Sequence, residues 1–384
     1  MPSTLCILLL GVFTVQALRV WPQPTLVEQG SDAQWVSRTF GLVAKLYCEE
    51  NGTQVQKVLS YDTLRGLIQN ISDWLRFYPS EQTNHELSEE LILRDAVSRS
   101  LQTIKTTKFV PWKTHSRLSA FEPSPAVVDK PVMLNQLQLN QVFCPSADKL
   151  DSVAFFAGDE SYELTVEQET ASINSRSTLG SIRALQTFEQ LFYASSNRSD
   201  VYIPNTPLQI SDKPRWPHRG LLLDIARNVF STEDVLRTID AMASSKLNRL
   251  HLHATDSQSW PIEVPAFPHL ASQGAYQPDQ IWSSADLRRV QRYGVIRGVS
   301  VFLEIDMPGH TASIAHAYPD LIAAFNEPDW SNFAAEPLSG QLKLNSAPVY
   351  AFVDKLFVSK TFSMQTRVHS KTDRTTQILV AVGF

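Results

Sequence analysis

Cysteine is almost missing from this chain, with Cys6, Cys48 and Cys144 the only three among 384 residues. That is too few for a disulfide-stapled scaffold, and the spacing offers no cysteine-based metal site. An excess of positive charge is missing too. Lysine and arginine number 34 against 39 aspartates and glutamates, a formal net charge of −5, so there is no basic footprint and nucleic acid is not an expected partner. Beyond the N-terminus, no apolar run reaches the length of about 18 residues that a membrane span requires, which argues against a membrane anchor. No Gly-x-Gly-x-x-Gly phosphate loop follows a candidate strand, and no cofactor is expected.

What is present is a globular composition. Hydrophobic residues make up 43% and aromatics 10%, including 8 Trp, enough to fill a core, while 22 Pro suit many loops. The N-terminus reads MPSTLCILLLGVFTVQALRV. Its apolar run from Leu5 to Val15 ends in a small-residue pattern, Val15-Gln16-Ala17, as a cleavable signal peptide does. The expectation is a secreted, extracellular protein with residues 1–17 removed. Cleavage leaves Cys48 and Cys144, either paired by an oxidising compartment or as two buried thiols. Asn51, Asn70 and Asn197 head Asn-x-Ser/Thr triplets and are candidate glycosylation sites.

Patterning divides the chain near residue 212. The segment EELILRDAVSRSLQTI from Glu89 has helical spacing, QLQLNQVF and ESYELTVE alternate with period two, and Ile182, Leu185, Phe188 and Phe192 fall on one helical face. This predicts an α+β domain over 18–212. From SDKPRWPHRG onward the units repeat: GLLLDIA as a strand, STEDVLRTIDAMASSKL as a capped helix, NRLHLHATD as a strand, SSADLRRVQRYGVIRG as a helix, and VSVFLEIDMPGH as a strand. Alternation at these lengths predicts parallel β/α units, the opening of a (β/α)₈ barrel.

The polar residues cluster just past each strand, where such a barrel places its site. They are Asp224 and Arg227, then His251, His253 and Asp256, then Glu304, Asp306 and His310. Glu304 and Asp306 share a strand face and read either as an acid/base pair or as anchors that hydrogen-bond neighbouring loops. His253 and Asp256 suit a ligand-orienting network better than zinc, since the spacing is not His-Glu-x-x-His; no metal is expected. Arg227 offers a rigid fork for hydroxyls or a carboxylate, or else pairs with Asp224 or Glu304. Trp260, Trp282 and Tyr276 offer flat faces for a sugar ring or pack the loop. Sugar chemistry is the reading these rim residues favour.

The stretches HRGLLLDIARNVF, KLNRLHLHATDSQSWPIEVPAFPHL, VSVFLEIDMPGHTAS and the upstream DESYELTVEQETASINSRSTLGSIRALQTFEQL resemble glycoside hydrolase family 20 β-N-acetylhexosaminidases, particularly secreted fungal ones. The resemblance is specific over about 150–355 and looser before. It implies a non-catalytic α+β domain, with a propeptide-like start, ahead of a (β/α)₈ barrel whose N-terminal part is residues 213–357. The implied activity is removal of terminal β-linked GlcNAc or GalNAc from chitooligosaccharides and glycans by a retaining, substrate-assisted reaction. It also implies roles: Arg227 on the sugar's 3- and 4-hydroxyls with Asp256 beside it, and His253, Asp256, Glu304, Asp306 and His310 as the network around a catalytic Asp-Glu pair. The resemblance also implies homodimers through barrel loops in many full-length relatives, on a surface that this shorter chain largely lacks. That pair belongs to a Gly-Gly-Asp-Glu motif after the fourth strand, which these 384 residues do not contain. Gly158-Asp159-Glu160 lies in the upstream domain and reads as a decoy. The expectation is therefore a barrel of about three β/α units that stops before the pair, a tail (358–384) without counterpart, and at most sugar binding unless another pair serves.

Overall fold

The computed structural model describes residues 20–50, 53–60, 87–111, 122–123, 133–142, 150, 152–196, 199–358, 366–368 and 380–382. The signal peptide (1–17), Asn51, Asn70, Asn197 and Cys144 lie outside them, and of Cys48 only the backbone is described, so the expected glycosylation and Cys48–Cys144 pairing lie outside as well.

The first half is a mixed seven-stranded sheet flanked by helices. Its strands are β1 (Leu26–Glu50), β2 (Thr53–Ser60), β3 (Leu134–Gln141), β4 (Tyr162–Glu167), β5 (Thr170–Ser175), β6 (Tyr193–Ala194) and β7 (Val201–Asp212), in the order β2-β1-β3-β5-β4-β7-β6. The 25-residue β1 pairs with β7 along its first part and with β3 along its second, so the sheet curls round on itself. In β4 the alternation YELTVE turns Tyr162, Leu164 and Val166 inward. Helix α1 (Glu89–Thr106) starts at Ser88, whose hydroxyl accepts from Leu91 N; α2 (Ser152–Phe156) is a single short turn; α3 (Thr178–Glu189) starts at Ser177, capping Gly180 N. Together α1 and α3 supply Ile92, Leu93, Ile182, Leu185 and Phe188 to the core under the sheet.

The second half alternates. Strand β8 (Gly220–Asp224) leads to helix α4 (Thr232–Ser244) and strand β9 (Arg249–Thr255). After the short helix α5 (His269–Gly274), helix α6 (Ser284–Ile296) leads to strand β10 (Ser300–Ile305). The three strands form a parallel sheet in the order β10-β9-β8. Both crossover helices carry a capping box, Ser231 with Asp234 and Ser283 with Asp286, which satisfies first-turn donors and fixes where each helix starts. Their apolar faces (Val235, Leu236, Ile239 and Met242 on α4; Leu287, Val290 and Tyr293 on α6) close over one side of the sheet. Beyond β10 come three 3₁₀ turns (Ala312–His316, Pro319–Leu321 and Trp330–Asn332), a small pair β11 (Ile322–Ala323) and β12 (Gln341–Leu342), helix α7 (Ala347–Val358) and a tail hairpin of β13 (Thr366–Val368) with β14 (Val380–Val382). The architecture is an α+β domain followed by a partial β/α sheet, an incomplete (β/α)₈-like domain.

Buried ion pairs join the halves. Arg183 on α3, fully enclosed, donates to Glu160 (2.9 Å) and to the carbonyl of Gly298 (2.9 Å). Gly298 closes α6 at φ +69°, a left-handed position that suits glycine, and so turns its carbonyl toward the other domain. Glu160 also receives Arg219 (2.9 Å), which leads into β8, and Arg219 donates to the Lys246 carbonyl (2.7 Å). Lys246 reaches Asp212 (3.1 Å) and the Tyr162 hydroxyl (2.8 Å). The Gly-Asp-Glu at 158–160 is thus an interdomain tie. Because Arg183 has no route to water, Glu160→Gln is expected to cost about 3 kcal/mol of unfolding free energy by urea titration. Asp159→Asn, at the half-exposed neighbour, is expected to stay within about 1 kcal/mol. Equal effects would refute the tie.

Candidate functional site

Register builds the site in rows. Leu222 of β8, His251 of β9 and Phe302 of β10 are aligned; two residues on, Asp224, His253 and Glu304 are aligned. Partners in a ladder point to the same face, so each row projects as a unit toward the C-terminal rim. The register shifts between Glu304 and Ile305, and Asp306 follows the end of β10.

His253 is the centre of this rim. Its Nε2 is 2.8 Å from Asp256 Oδ2 and its Nδ1 is 3.0 Å from Glu304 Oε2. Glu304 Oε2 is also 2.6 Å from His251 Nε2. Asp256 is fully buried and uses both oxygens. Oδ1 accepts from Ser257 N (2.6 Å) and lies 3.1 Å from His310 Nδ1, while Oδ2 faces His253 and Arg227 Nη2 (2.7 Å). Ser313 Oγ donates to the Asp256 carbonyl (2.6 Å), and Ser259 Oγ to the Ala226 carbonyl (2.5 Å), joining the loops after β8, β9 and β10.

Arg227 is positioned from the β8 side. Asp224 Oδ1 accepts from the amides of Ala226 and Arg227, tightening the turn that carries the arginine, and its Oδ2 takes Arg227 Nη1 at 2.7 Å. Of the two ion-pair partners considered from sequence, Asp224 is therefore found and Glu304 is not; Asp256 takes that place. Tyr276, half-exposed, leans its hydroxyl toward the Arg227 carbonyl (3.4 Å). Trp260 and Trp282 offer no face to a ligand. Both are buried, with indole N–H groups bonded to the carbonyls of Ile262 and Phe230.

Sequence reasoning missed Glu336. It comes from the loop ahead of β12, 109 residues after Arg227, and sets Oε1 3.3 Å from Arg227 Nη2 and 3.7 Å from His310 Nδ1. A cleft of about 210 Å³ runs beside it, lined by Ser257, His310, Phe333, Pro337 and Leu338. Nothing in the local pattern around AAEPLSG marks that residue, because its partners come from two other loops.

Two sets of potential ligand atoms, His253/Glu304/Asp306 and Asp256/Asp306/His310, each fall within 4.8 Å. They do not suit a metal. Both nitrogens of His253 face carboxylate oxygens, leaving no lone pair to donate, and both Asp256 oxygens are engaged. The donors form a hydrogen-bonded relay.

The electrostatics follow. Burial on its own lowers the pKa of His253, but hydrogen bonds to Asp256 and Glu304 outweigh it and hold the imidazolium up to about 10. The adjacent imidazoles of His251 and then His253 pull Glu304 down to about 2. Burial raises Asp256, yet His253, Ser257 N, His310 and Arg227 together bring it below the usual range. Asp306 is pushed up, first by burial and then by the Glu304 charge, which outweigh His310. For His253 the folded value exceeds the unfolded one of about 6.5, so its stabilisation is complete below about pH 6.5 and disappears as pH rises through about 10. For Glu304 the folded value is depressed, so its share is present above about pH 4.3 and is lost toward pH 2. The unfolding free-energy difference between the wild type and His253→Gln should therefore be greatest at about pH 5–6.5 and shrink steadily to pH 10. A difference flat across that range in urea titrations would contradict the charged state of His253.

Residues 216–377 match the catalytic domain of glycosyl hydrolase family 20, a match that continues past residue 357, and residues 20–191 match a domain described as beta-acetyl hexosaminidase like. A beta-hexosaminidase of Arthroderma benhamiae is 45% identical over 357 residues, covering 91% of this chain and 57% of that protein. A chitooligosaccharidolytic beta-N-acetylglucosaminidase of Bombyx mori is 38% identical over 207 residues, covering 52% of this chain and 34% of that one. The chain thus spans less than two thirds of the length of either relative. Among solved structures, a chitobiase from Flavobacterium johnsoniae superposes with a TM-score of 0.61 at 23% identity over 88% of this chain and 42% of its own. An exo beta-N-acetylglucosaminidase from Vibrio harveyi, solved in complex with N-acetylglucosamine, gives 0.56 at 20% identity over 88% of this chain and 44% of its own. These structural likenesses speak for the fold, and the sequence matches across both halves for descent: the chain is homologous to the glycosyl hydrolase family 20 β-N-acetylhexosaminidases.

Proposed function

We propose that the rim of β8, β9 and β10 is the sugar-holding and bracing side of an exo-β-N-acetylhexosaminidase site. It serves removal of terminal, non-reducing GlcNAc or GalNAc from chitooligosaccharides and glycans, outside the cell. The observation that carries this reading is the setting of Arg227. Asp224 takes its Nη1 and Asp256 faces its Nη2 at 2.7 Å each, at the carboxyl ends of parallel strands, and Glu336, 3.3 Å from Nη2, lines the neighbouring cleft. A planar fork fixed this way meets adjacent hydroxyls of a pyranose with two N–H groups at little further entropy cost.

In the proposed reaction the substrate's acetamide oxygen forms the new bond to C1 as the glycosidic bond breaks, and a carboxylic acid gives its proton to the leaving oxygen. Water then attacks C1 and the acetamide is restored, with retained configuration. No protein nucleophile is used. The residues described here contribute binding through Arg227, and orientation through the relay Glu304–His253–Asp256 with His310 beside it. Glu304, held ionised far below neutrality, is a brace and has no proton to give.

A second reading is binding without hydrolysis, favoured by the absence of Gly-Gly-Asp-Glu from the 384 residues. One set of measurements separates the two. GlcNAc affinity should fall at least about tenfold in Arg227→Met, the loss of a charge-assisted hydrogen bond; unchanged affinity would remove the sugar reading altogether. Hydrolysis of p-nitrophenyl-β-GlcNAc by this chain, abolished in Asp306→Asn, would assign the acid to the end of β10. Retained binding with no turnover would establish the second reading.

A further inference from the structure

The outer face of the N-terminal sheet, turned away from α1 and α3, is built of amides and hydroxyls. Strands β3 and β5 run parallel there, with Gln136 beside Thr170, Gln138 beside Ser172 and Asn140 beside Asn174. Asparagine is a poor strand former, so Asn140 opposite Asn174 stands against local preference. These side chains are tied to one another. Gln136 Nε2 donates to Thr170 Oγ1 (3.3 Å) and Asn140 Nδ2 to Asn174 Oδ1 (2.9 Å), and the hydroxyls of Thr165 and Ser172 are 2.6 Å apart. An ordinary solvated face mixes both signs of charge. The outward rows of β3, β5 and β4 carry no lysine or arginine.

One end of this face is a cleft of about 630 Å³, within the size range of small-molecule sites. It crosses β5, β4, β7 and β1 at Asn174, Glu163, Ser211 and Leu26, which are successive ladder partners, and reaches Val142 just past β3. Five strands at about 4.8 Å spacing give it a length of roughly 19 Å, more than a single sugar ring fills. Leu26 and Val142 stand at its two ends, 56% and 57% exposed, with Asn174 and Glu163 exposed between them. Charge is balanced around the wall. Arg176 and Lys213 act on Asp159, and Lys246 is 3.1 Å from Asp212, whose carboxylate also takes Tyr162 and Thr25. With Glu163, three carboxylates face three cations, so an anionic ligand meets no excess of positive charge.

We propose that this cleft is an anchoring site for a chain of β-linked N-acetylhexosamine units, separate from the rim. The amide of Asn174 suits the acetamide groups, Glu163 accepts from hydroxyls, and Leu26 and Val142 take acetamide methyls and ring C–H faces. Side chains already tied to one another lose little freedom on binding. Asp212 in the cleft wall holds Lys246, which precedes β9 at its amino end, whereas the rim lies at the carboxyl ends. A chain held in the cleft therefore leaves the rim clear, and keeps the protein on a polymer while the rim meets another chain end.

The ligand class rests on the sugar reading of the rim, so the test removes the rim first. Calorimetric titration of the full chain carrying Arg227→Met with N-acetylchitotetraose should still show binding. Adding Glu163→Ala and Asn174→Ala should weaken it at least about fivefold, the loss of two hydrogen bonds, with the urea midpoint unchanged because both positions are exposed. Ser211→Trp, which fills the cleft from β7, should have the same effect. With Arg227 intact, the Glu163/Asn174 pair of changes should leave GlcNAc binding as it was. No tetraose binding in Arg227→Met, an affinity indifferent to the cleft changes, or equal binding of cellotetraose, which has no acetamides, would each overturn the anchor. Tetraose held in the cleft of a protein whose rim never binds GlcNAc would sustain the anchor and remove the sugar reading of the rim alone.

Discussion

The rim depends on one imidazolium. A neutral imidazole has a single N–H, and His253 faces carboxylate oxygens at both ring nitrogens, at 2.8 and 3.0 Å. Only the doubly protonated ring satisfies both. Without that charge, Asp256 and Glu304 are two buried anions drawing on fewer donors, a situation that costs several kcal/mol per ion. The other contacts gather round this clamp. Asp256 can accept Arg227 and His310 because His253 shares its charge, and Arg227 is oriented because Asp256 is fixed. The parallel register of β8, β9 and β10 is what brings Asp224, His253 and Glu304 into one row.

The same three strands are fastened at their other ends. Arg219 precedes β8, Lys246 precedes β9 and Gly298 precedes β10, and each is a point where the N-terminal domain takes hold, through Glu160, Asp212 and Arg183 respectively. In barrel-type sheets the amino ends carry stability and the carboxyl ends carry chemistry. Here the division is visible within a partial sheet. The upstream domain secures the strand entries, and the rim is left free to concentrate charge.

Features set by short spacings were legible from sequence. The boxes Ser231/Asp234 and Ser283/Asp286 announce α4 and α6, the alternation in YELTVE announces β4, and the polar ends of three apolar runs announce the rim, from which Arg227, His253, Asp256, Glu304 and His310 were all picked out. What escaped depends on the third dimension. Glu336 acquires its role from contacts 109 and 26 residues away in sequence. Strand β1 carries no single alternation because it changes partners along its length. Trp260 and Trp282 look like sugar platforms in a loop rich in polar residues, but their large apolar area is worth more under the loop than on it. Glu160 sits in a catalytic-looking triplet and is a structural tie because Arg183 and Arg219 arrive from elsewhere.

The two carboxylates at the end of β10 show how environment separates neighbours that sequence treats alike. Glu304 points into the row with His253, has two imidazoles beside it and is held at about 2. Asp306, two residues on and past a register shift, meets burial and the Glu304 charge, and its carboxyl is pushed up. Paired acids and bases in glycosidases are also driven apart in pKa, so the split alone imitates a catalytic pair. The difference lies in where the low member faces. A catalytic carboxylate has to present an oxygen to the reacting centre, whereas the Oε2 of Glu304 is bonded to His253 Nδ1 within the rim network. The pair is therefore asymmetric by construction. Glu304 holds the charge of the relay in place, whereas Asp306, two residues on, is left to burial, which pushes its carboxyl up.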